Sequence, residues 1–209
     1  MKILNLYAGI GGNRKLWGDS HEITAIEYKQ EIADIYHDFF PKDKIIVTDA
    51  HQYLLEHFKE FDFIWSSPPC PSHSRNRNVA GVGSGRTKPI YPDMKLYEEI
   101  VLLKHLSKLE NNGFKGKYCI ENVISYYEPI IKPQKIALHY YWANFLIRPY
   151  DIKTREHSSN IEILQNFKGF DLSKYKIDKR RTLRNCVEFE LGKHILDCAM
   201  GIHPQKTLL

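Results

Sequence analysis

The chain has 209 residues, which is enough for one domain with a sizeable apolar core. Aromatic residues make up 12% and charged residues 26% of the sequence, as in ordinary globular proteins. The mean hydropathy is −0.44, and no apolar run reaches the roughly 18 residues of a membrane span, so we expect no membrane-spanning segment.

The net charge indicates the kind of partner, and the spacing of the cysteines indicates the redox compartment. The formal net charge is +5 and the pI is about 8.9, which favours a polyanionic partner. The four cysteines are scattered without a C-x-x-C pair, a pattern that favours a reducing cytoplasm over disulfides or a zinc site. The first residues enter a strand pattern directly, so we expect no signal peptide.

Periodicity in the first third of the chain predicts alternating strands and helices. The strands are predicted at residues 2–6, 23–27, 44–47 and 61–65, and the helices at residues 13–17, 29–39 and 50–59. This alternation is typical of a parallel sheet of the doubly wound α/β type.

A glycine-rich turn, Tyr-Ala-Gly-Ile-Gly-Gly at residues 7–12, follows the first strand. Glycines let a ligand approach the backbone closely, but this spacing fits neither a dinucleotide site nor a P-loop, and the turn could be purely structural. Glu27 ends the second strand, where an acid often holds a ribose diol; a solvated carboxylate is the alternative. Asp49 follows the third strand and either caps the next helix or accepts from an adenine amino group.

Cys70 follows the strand at residues 61–65 and the sequence Ser-Ser-Pro-Pro. Two prolines cannot continue a sheet, so Cys70 lies on a stiff loop at the carboxyl end of a strand, where open α/β sheets place their chemistry. Such a cysteine suits a nucleophile. The alternatives are a buried apolar cysteine, and a cysteine hydrolase with His73 as base, which lacks a cysteine-protease signature.

Residues 75–92 carry several glycines and basic residues without a hydrophobic period. A loop of this length directly after Cys70 indicates a lid that closes over a phosphate backbone, or a tolerated insertion. A helix is predicted at residues 95–108, and a strand at residues 118–120 ends at the same sheet edge as Cys70. Glu121 comes directly after that strand and is a general-acid candidate, or a cap for the next segment of the chain.

The rest of the chain has weaker patterns. We predict a helix at 133–139, strands at 144–147 and 152–156, an irregular polar segment at 158–183 and a last amphipathic helix at 191–200. Alternation within the strand at 152–156 puts Lys153, Arg155 and His157 on one face, which suits an anionic or carbonyl-bearing ligand or a solvated edge.

In series, these motifs resemble the DNA cytosine-5 methyltransferase family over nearly the whole chain. The glycine turn resembles the methionine-binding part of the S-adenosylmethionine site. The other matching motifs are Pro68-Pro69-Cys70 for the nucleophile, Glu121-Asn122-Val123 for the Glu-Asn-Val acid, Arg155-Glu156-His157 for the Arg-x-Arg strand at the target base, and Asn185-Cys186-Val187 for the final motif.

The resemblance implies a Rossmann-like S-adenosylmethionine-dependent methyltransferase fold: a single α/β domain, residues 1–209, with a mostly parallel twisted sheet and helices on both faces. The catalytic residues implied are Cys70, Glu121, Arg155 and His157, with no metal. The cofactor contacts implied are Tyr7, Gly9, Ile10, Gly11, Gly12, Glu27, Asp49, Ala50, Pro68, Leu96, Asn185 and Val187. The nucleic-acid contacts expected are Ser74, Arg75, Arg77, Arg86, Lys88 and Lys153.

In the mechanism that the resemblance implies, the Cys70 thiolate adds to C6 of a flipped-out cytosine, and Glu121 stabilises the charge that develops at N3. Arg155 orients the ring and helps to lower the pKa of Cys70. C5 then accepts the methyl group of S-adenosylmethionine, S-adenosylhomocysteine is the product, and loss of the C5 proton expels Cys70.

The departures from the family pattern also matter. Pro71 stands where the family has Gln after the nucleophile, and Lys153 and His157 replace residues of the Gln-x-Arg-x-Arg motif. Only 28 positions separate His157 from Asn185, where the family carries a recognition domain, so residues 158–184 form at most a reduced recognition segment. We therefore expect weak or short sequence specificity on double-stranded DNA.

The expected enzyme is a cytoplasmic monomer of a bacterial or phage-infected cell, without membrane contact, acting in DNA modification such as restriction-modification. Three alternatives stay open. The chain could be a catalytic subunit that needs a separate recognition subunit, an RNA cytosine-5 methyltransferase, or a binding module without activity.

Overall fold

A computed structural model describes residues 1–106, 113–151 and 160–202 of the chain. The strands are β1 (Lys2–Leu6), β2 (Glu22–Glu27), β3 (Lys44–Val47), β4 (Phe63–Ser66), β5 (Lys117–Val123), β6 (Gln134–Ile136) and β7 (His139–Ala143). The helices are α1 (Gln30–Phe39), α2 (Ala50–His57), α3 (Lys95–Leu106), α4 (Ile161–Lys168), α5 (Lys179–Arg184) and α6 (Phe189–Ala199). Within these ranges, none of the helices has the length and apolar character needed to cross a membrane.

The seven strands form one sheet in the order β3-β2-β1-β4-β5-β7-β6. Every neighbouring pair is parallel except those that include β7, which runs antiparallel to both β5 and β6. The prediction of a mostly parallel, Rossmann-like sheet is confirmed.

Helices cover both faces of the sheet because the central strands are apolar on both sides. Leu4 and Leu6 of β1 pack with α2 and α3, whose buried residues include Leu54 and Ile100. Ile3 points to the opposite face and shares a core cluster with apolar residues of α6. Because consecutive residues of β1 face opposite layers, this strand lies at the centre of the domain.

The helix predicted at residues 13–17 is replaced by a series of turns. The Asn13 amide donates to Asn5 Oδ1 at 2.8 Å, and the buried Arg14 guanidinium pairs with Asp43 at 2.7 Å. A Cβ at Gly192 of α6 would lie 2.4 Å from the Asn13 carbonyl oxygen, so α6 packs directly on this backbone. These long-range contacts override the local helical pattern.

The helix predicted at residues 133–139 is also wrong. Residues of this stretch form β6 and the start of β7, and Ala137 turns between them with a φ of 49°. The strand predicted at residues 144–147 is absent too, because the Gln134 side chain hydrogen-bonds the backbone of Phe145 and Ile147 there. The strand predicted at residues 152–156 lies outside the described residues.

The segment predicted to be irregular, residues 158–183, contains α4 and most of α5. The Asn160 side chain caps α4 at its start, and Gly169 ends it with a left-handed φ of 66°. Leu164 and Leu183 are fully buried and share a core cluster with Ile10 and Ile35 of the first third of the chain. This segment is therefore packed into the catalytic fold.

The packing of α4 predicts a contrast between two neighbouring residues. Leu164 is 1% exposed and Ile163 is 50% exposed. We expect Leu164→Ala to lower the free energy of unfolding by about 2–5 kcal/mol, because it leaves a cavity in the core. Ile163→Ala, the matched control, should change it by less than about 1 kcal/mol. Urea unfolding measures both; equal effects would contradict this packing.

Candidate active site

The sheet order places a crevice between β1 and β4. The strand order reverses at this point, and ligands of open α/β sheets bind at such a switch point, beyond the carboxyl ends of the strands. Two segments leave the carboxyl ends of these paired strands: the glycine turn (residues 7–12) after β1 and the nucleophile loop (residues 67–74) after β4. We call the space between them the cleft.

The nucleophile loop is fastened to the end of β5. The Asn122 amide donates to the Pro68 carbonyl oxygen at 3.0 Å, and Ser74 forms a bridge with Ser125. Within the loop, the Cys70 carbonyl oxygen accepts from the backbone of residues 73 and 74, both at 3.0 Å. Cys70 is therefore held on a rigid turn and is half-buried.

His73 anchors this loop. Its Nδ1 lies 2.6 Å from the Tyr127 hydroxyl, and its ring packs against Tyr97 and Tyr127. Burial lowers the pKa of this imidazole. Because His73 is buried and its Nδ1 is taken by Tyr127, and because no hydrogen bond joins its ring to Cys70 in the described residues, the geometry gives no support to His73 as the base of a cysteine hydrolase.

Glu121 is buried at the end of β5. Burial raises the pKa of the Cys70 thiol, and the nearby Glu121 carboxylate raises it further. The predicted acid therefore lies close enough to the predicted nucleophile for its charge to act on the thiol. The thiolate form of Cys70 is disfavoured as long as Glu121 is ionised.

Sequence reasoning missed His139, which lies 3.5 Å from Glu121, between Nε2 and Oε1. The register of β5 and β7 pairs His139 with Val123, so the imidazole sits beside the carboxylate. Sequence analysis predicted a helix at residues 133–139, and a helix there is incompatible with the pairing of β5 and β7. A prediction of the β6–β7 hairpin would have placed His139 at the sheet edge.

Glu188, which precedes α6, adds a further charge near His139. Burial would raise the pKa of Glu188, but the Lys168 ammonium, 2.8 Å away, lowers it overall, and His139 contributes in the same direction. The chain between α5 and α6 therefore returns to the neighbourhood of Glu121.

Two glycines of the glycine turn are explained by packing. A Cβ at Gly12 would lie 2.3 Å from Cys186 Sγ and 2.4 Å from the Val187 carbonyl oxygen. A Cβ at Gly11 would meet the Phe40 ring at 2.3 Å. The predicted final motif thus lies against the glycine turn; within it, Asn185 is the exposed C-cap of α5. The Ile10 side chain is buried in the core.

Gly9 differs from these glycines, because a Cβ there would meet nothing. Its φ is 55°, and its backbone N–H donates to Glu27 Oε2 at 3.0 Å. Glu27 Oε1 accepts from the Lys29 backbone at 3.1 Å. A carboxylate has about four acceptor positions, so Glu27 keeps capacity for a diol. An open backbone beside an acid with free acceptor positions fits the ribose and methionine parts of S-adenosylmethionine.

Asp49 caps α2, as one alternative predicted. Its Oδ1 accepts from the Gln52 backbone at 3.0 Å, and this hydrogen bond is the main reason why its pKa is lowered. Asp49 Oδ2 lies 3.7 Å from Lys95 Nζ. Ala50 and Leu96 are buried in the core cluster beside the cleft. A contact between Asp49 and an adenine stays a prediction.

The basic loop (residues 75–92) has more order than predicted, because residues Asn76–Val82 form a π-helical turn. The Arg77 guanidinium donates to the Lys88 carbonyl oxygen at 3.0 Å, and Arg86 donates to Ser84 at 2.9 Å. Arg75, Arg86 and Lys88 are exposed. Their contact with nucleic acid stays a prediction.

Three predicted residues of the base-contacting strand, Lys153, Arg155 and His157, lie outside the described residues. In the part of the chain that is described, no group of three or more His, Cys, Asp or Glu side chains could hold a metal ion.

The coupling of Cys70 to Glu121 predicts the reactivity of the thiol. We expect Glu121→Gln to speed alkylation of Cys70 by about two- to tenfold at neutral pH, because loss of the carboxylate lowers the pKa of the thiol and so increases the fraction present as thiolate. Iodoacetamide labelling with peptide mapping measures the rate at Cys70 alone. Glu128→Gln, which removes an exposed carboxylate, is the control. Unchanged or slower labelling of Cys70 in Glu121→Gln would contradict the coupling.

Comparison with known proteins finds two relatives that share one description. A tRNA (cytosine(38)-C(5))-methyltransferase of Spodoptera frugiperda is 25% identical over 128 residues, covering 56% of this chain and 39% of the relative. The mouse protein of the same description is 23% identical over 154 residues, covering 66% of this chain and 37% of the relative. The chain therefore spans less than two fifths of the length of either relative.

Solved structures with a similar arrangement include a DNMT2 variant of Spodoptera frugiperda, at 21% identity and a TM-score of 0.46, covering 72% of this chain and 53% of that one. Another is a prophage-encoded DNA modification methyltransferase of Escherichia coli, at 14% identity and a TM-score of 0.39, covering 61% of this chain and 33% of that one.

The family comparison covers the part of the chain that holds the cleft. Residues 1–123, more than half of the 209, match the model of the C-5 cytosine-specific DNA methylases. The match includes the glycine turn, the nucleophile loop and Glu121. This chain therefore belongs to the C-5 cytosine-specific DNA methylase family.

Proposed function

We propose that this protein transfers a methyl group from S-adenosylmethionine to C5 of cytosine in a nucleic acid. The observation that carries the proposal is that the charge of Glu121 acts on the Cys70 thiol. The two residues lie on β5 and on the nucleophile loop, which the hydrogen bond from Asn122 to Pro68 joins. Both groups lie at the sheet edge that also carries the glycine turn.

In the proposed reaction, Cys70 Sγ forms a bond to C6 of the cytosine, and the electron pair of the C5–C6 double bond becomes available at C5. Glu121 in its protonated form stabilises the charge at N3. When bound, S-adenosylmethionine supplies the methyl group that C5 takes. The C5 proton then passes to solvent water, and the electron pair of the C5–H bond restores the C5–C6 double bond and expels the Cys70 thiolate.

The interaction between the charges of Cys70 and Glu121 explains why the proposed reaction uses Glu121 in its protonated form. Burial and an ionised Glu121 both raise the pKa of Cys70, so the thiolate forms most readily when Glu121 carries a proton. The state with a thiolate and a neutral carboxyl is therefore the reactive one. His139 Nε2 lies 3.5 Å from Glu121 Oε1, so an imidazole stands next to this carboxyl group.

The proposed cofactor site is built from the glycine turn and the carboxyl ends of β1, β2 and β4. The backbone at Gly9 is open on its Cβ side, and Glu27 keeps free acceptor positions beside it. Asn185 and Val187 complete the site as proposed contacts, since the segment that holds them packs on Gly12.

For the substrate we propose DNA, in line with the description of the family. RNA is the second candidate, because both curated relatives described above are tRNA (cytosine(38)-C(5))-methyltransferases. The two candidates share the same chemistry at C5 and differ in the polymer that carries the cytosine.

We further propose that residues 158–184 provide only limited recognition. In the described part of this segment, Leu164, Phe170 and Leu172 are buried in the domain, so only the outer face can reach a substrate. That face includes exposed Arg180 and Arg184, which suit phosphate contacts. Weak or short sequence specificity, or a separate recognition subunit, is expected from so small a surface.

The proposal predicts a covalent complex with a cytosine analogue. A fluorine at C5 cannot leave as the proton does, so after methyl transfer Cys70 stays bound to C6. With S-adenosylmethionine present, we expect the wild-type protein to form a stable adduct with 5-fluorocytosine in duplex DNA or in tRNA, and Cys70→Ser to form none. Denaturing electrophoresis with mass spectrometry of the Cys70 peptide detects the adduct.

Offering the two polymers side by side decides the substrate. An adduct with DNA alone supports the first candidate, and an adduct with tRNA alone supports the second. An adduct through a residue other than Cys70 would contradict the proposed mechanism. No adduct with either polymer would show that the isolated chain is inactive, as expected of a subunit that needs a recognition partner or of a binding module.

A further inference from the structure

Glu99 of α3 is a carboxylate without any solvent exposure. Its Oε1 accepts a hydrogen bond from the Tyr7 hydroxyl at 2.6 Å and lies 3.1 Å from His51 Nδ1. Its Oε2 accepts from the Ser66 hydroxyl at 2.6 Å. A buried carboxylate is costly unless several partners compensate it, so this arrangement must be maintained for the domain to keep its shape.

The three partners belong to three different elements around the cleft. Tyr7 opens the glycine turn at the end of β1, and Ser66 is the last residue of β4, two positions before Pro68. His51 comes after Ala50 in the first turn of α2. Because β1 and β4 are the strands at the switch point, Glu99 joins them directly beside the proposed cofactor site.

His51 lies between two carboxylates. Its Nδ1 is 3.1 Å from Glu99 and its Nε2 is 3.0 Å from Glu98 Oε2. Neutral imidazole carries a single N–H, so it can donate to only one of them; the imidazolium donates to both. The geometry therefore selects the charged form of His51, which is the counter-ion of Glu99.

We propose that Glu99 is a positioning residue for cofactor binding, and that protonated His51 keeps it in place, so that affinity for the cofactor declines as His51 loses its proton. This inference rests on the proposed function, because it concerns the same cofactor site. Neither residue needs to touch the cofactor. They act through Tyr7, through the end of β4 and through the first turn of α2.

The charges around His51 give the direction of the pH dependence. The hydrogen bond with Glu99 raises the pKa of His51; burial opposes this, Glu98 adds to it, and Lys95 of α3 lowers it. A raised pKa in the folded state means that the stabilisation is complete at low pH and is lost as the pH rises through that pKa.

Two other titratable groups in this neighbourhood, Tyr7 and Asp49, keep their charge state over the same range. Burial, followed by the charge of Glu99, raises the pKa of Tyr7, so its hydroxyl stays a neutral donor; Asp49 and Asp93 act on it in the same direction. Asp49 has a lowered pKa, mainly through the backbone hydrogen bond from Gln52, and stays ionised. His51 is therefore the group in this set whose charge changes near neutrality.

The test is isothermal titration with S-adenosylhomocysteine between about pH 6 and pH 9, a range in which imidazole titrates. The proteins are the wild type and His51→Gln, whose amide can donate to Glu99 but does not titrate. His57→Gln is the matched control, since His57 is in the same helix, is also half-buried and also lies between two carboxylates, Glu56 and Glu60.

At about pH 6 we expect the wild type to bind about tenfold more tightly than His51→Gln, a coupling within the usual range. At about pH 9 the two should bind alike. Titration of the ligand itself is common to all variants and cancels in this ratio. Glu99→Gln should bind weakly across the range, whereas Tyr7→Phe should bind more weakly but keep the pH dependence.

A measurement on the wild type alone guards against variants that fail to fold. Since coupling is reciprocal, S-adenosylhomocysteine must favour protonated His51, and NMR titration of the ring should show its midpoint moving to higher pH when the ligand is bound.

The inference would be overturned if the ratio of the His51→Gln and wild-type dissociation constants did not change with pH, or if His51→Gln and His57→Gln had equal effects. In either case the protein would still bind S-adenosylhomocysteine, and the proposed function would be unaffected. Absence of binding by the wild type at every pH would instead remove the proposed cofactor site, and the inference with it.

Discussion

Strand β4 pairs in parallel with β5, with Ser66 opposite Ile120, and the rest of the site depends on this register. Parallel strands end at the same edge of a sheet, so the segments that leave β4 and β5 emerge side by side. Two prolines stop β4 and make a stiff turn, and Asn122 fixes that turn through the Pro68 carbonyl oxygen. A shift of one residue would send Glu121 to the other face of the sheet, away from Cys70.

Helices cover both faces of the sheet and exclude water from it. The charged groups at the carboxyl edge of the sheet therefore interact strongly with one another. Glu121 disfavours the thiolate of Cys70, and its own neighbour is an imidazole. Nearby, Glu99 is held by two hydroxyls and by His51. In a medium of low dielectric constant, a single proton on either carboxylate changes the free energy of the neighbouring group considerably.

Local sequence predicted the parts of this molecule where local rules dominate. Apolar periodicity located the first four strands and the helices α1 and α2, and prolines and glycines marked the turns that carry Cys70 and Gly9. Long-range contacts decided the rest. Arg14 turns inward to Asp43 instead of continuing a helix, and Ala137 makes a hairpin turn without a glycine to mark it.

The polar composition of residues 158–183 concealed an amphipathic helix, in which Leu164 and Lys168 are buried while Ile163 and Asn166 are exposed. His139 and Glu99 could not be identified from sequence, because their partners lie on strands and helices far away along the chain. A buried polar residue acquires its role only when the tertiary fold supplies its partners.

The most direct test of the central claim is nucleoside analysis of a methylated product. Purified protein is incubated with S-adenosylmethionine that carries a labelled methyl group and with DNA or tRNA, and the digested nucleosides are separated by mass spectrometry. The account predicts the label on C5 of cytosine with the wild type and no label with Cys70→Ser. Label on another atom, or an unchanged product with Cys70→Ser, would contradict it.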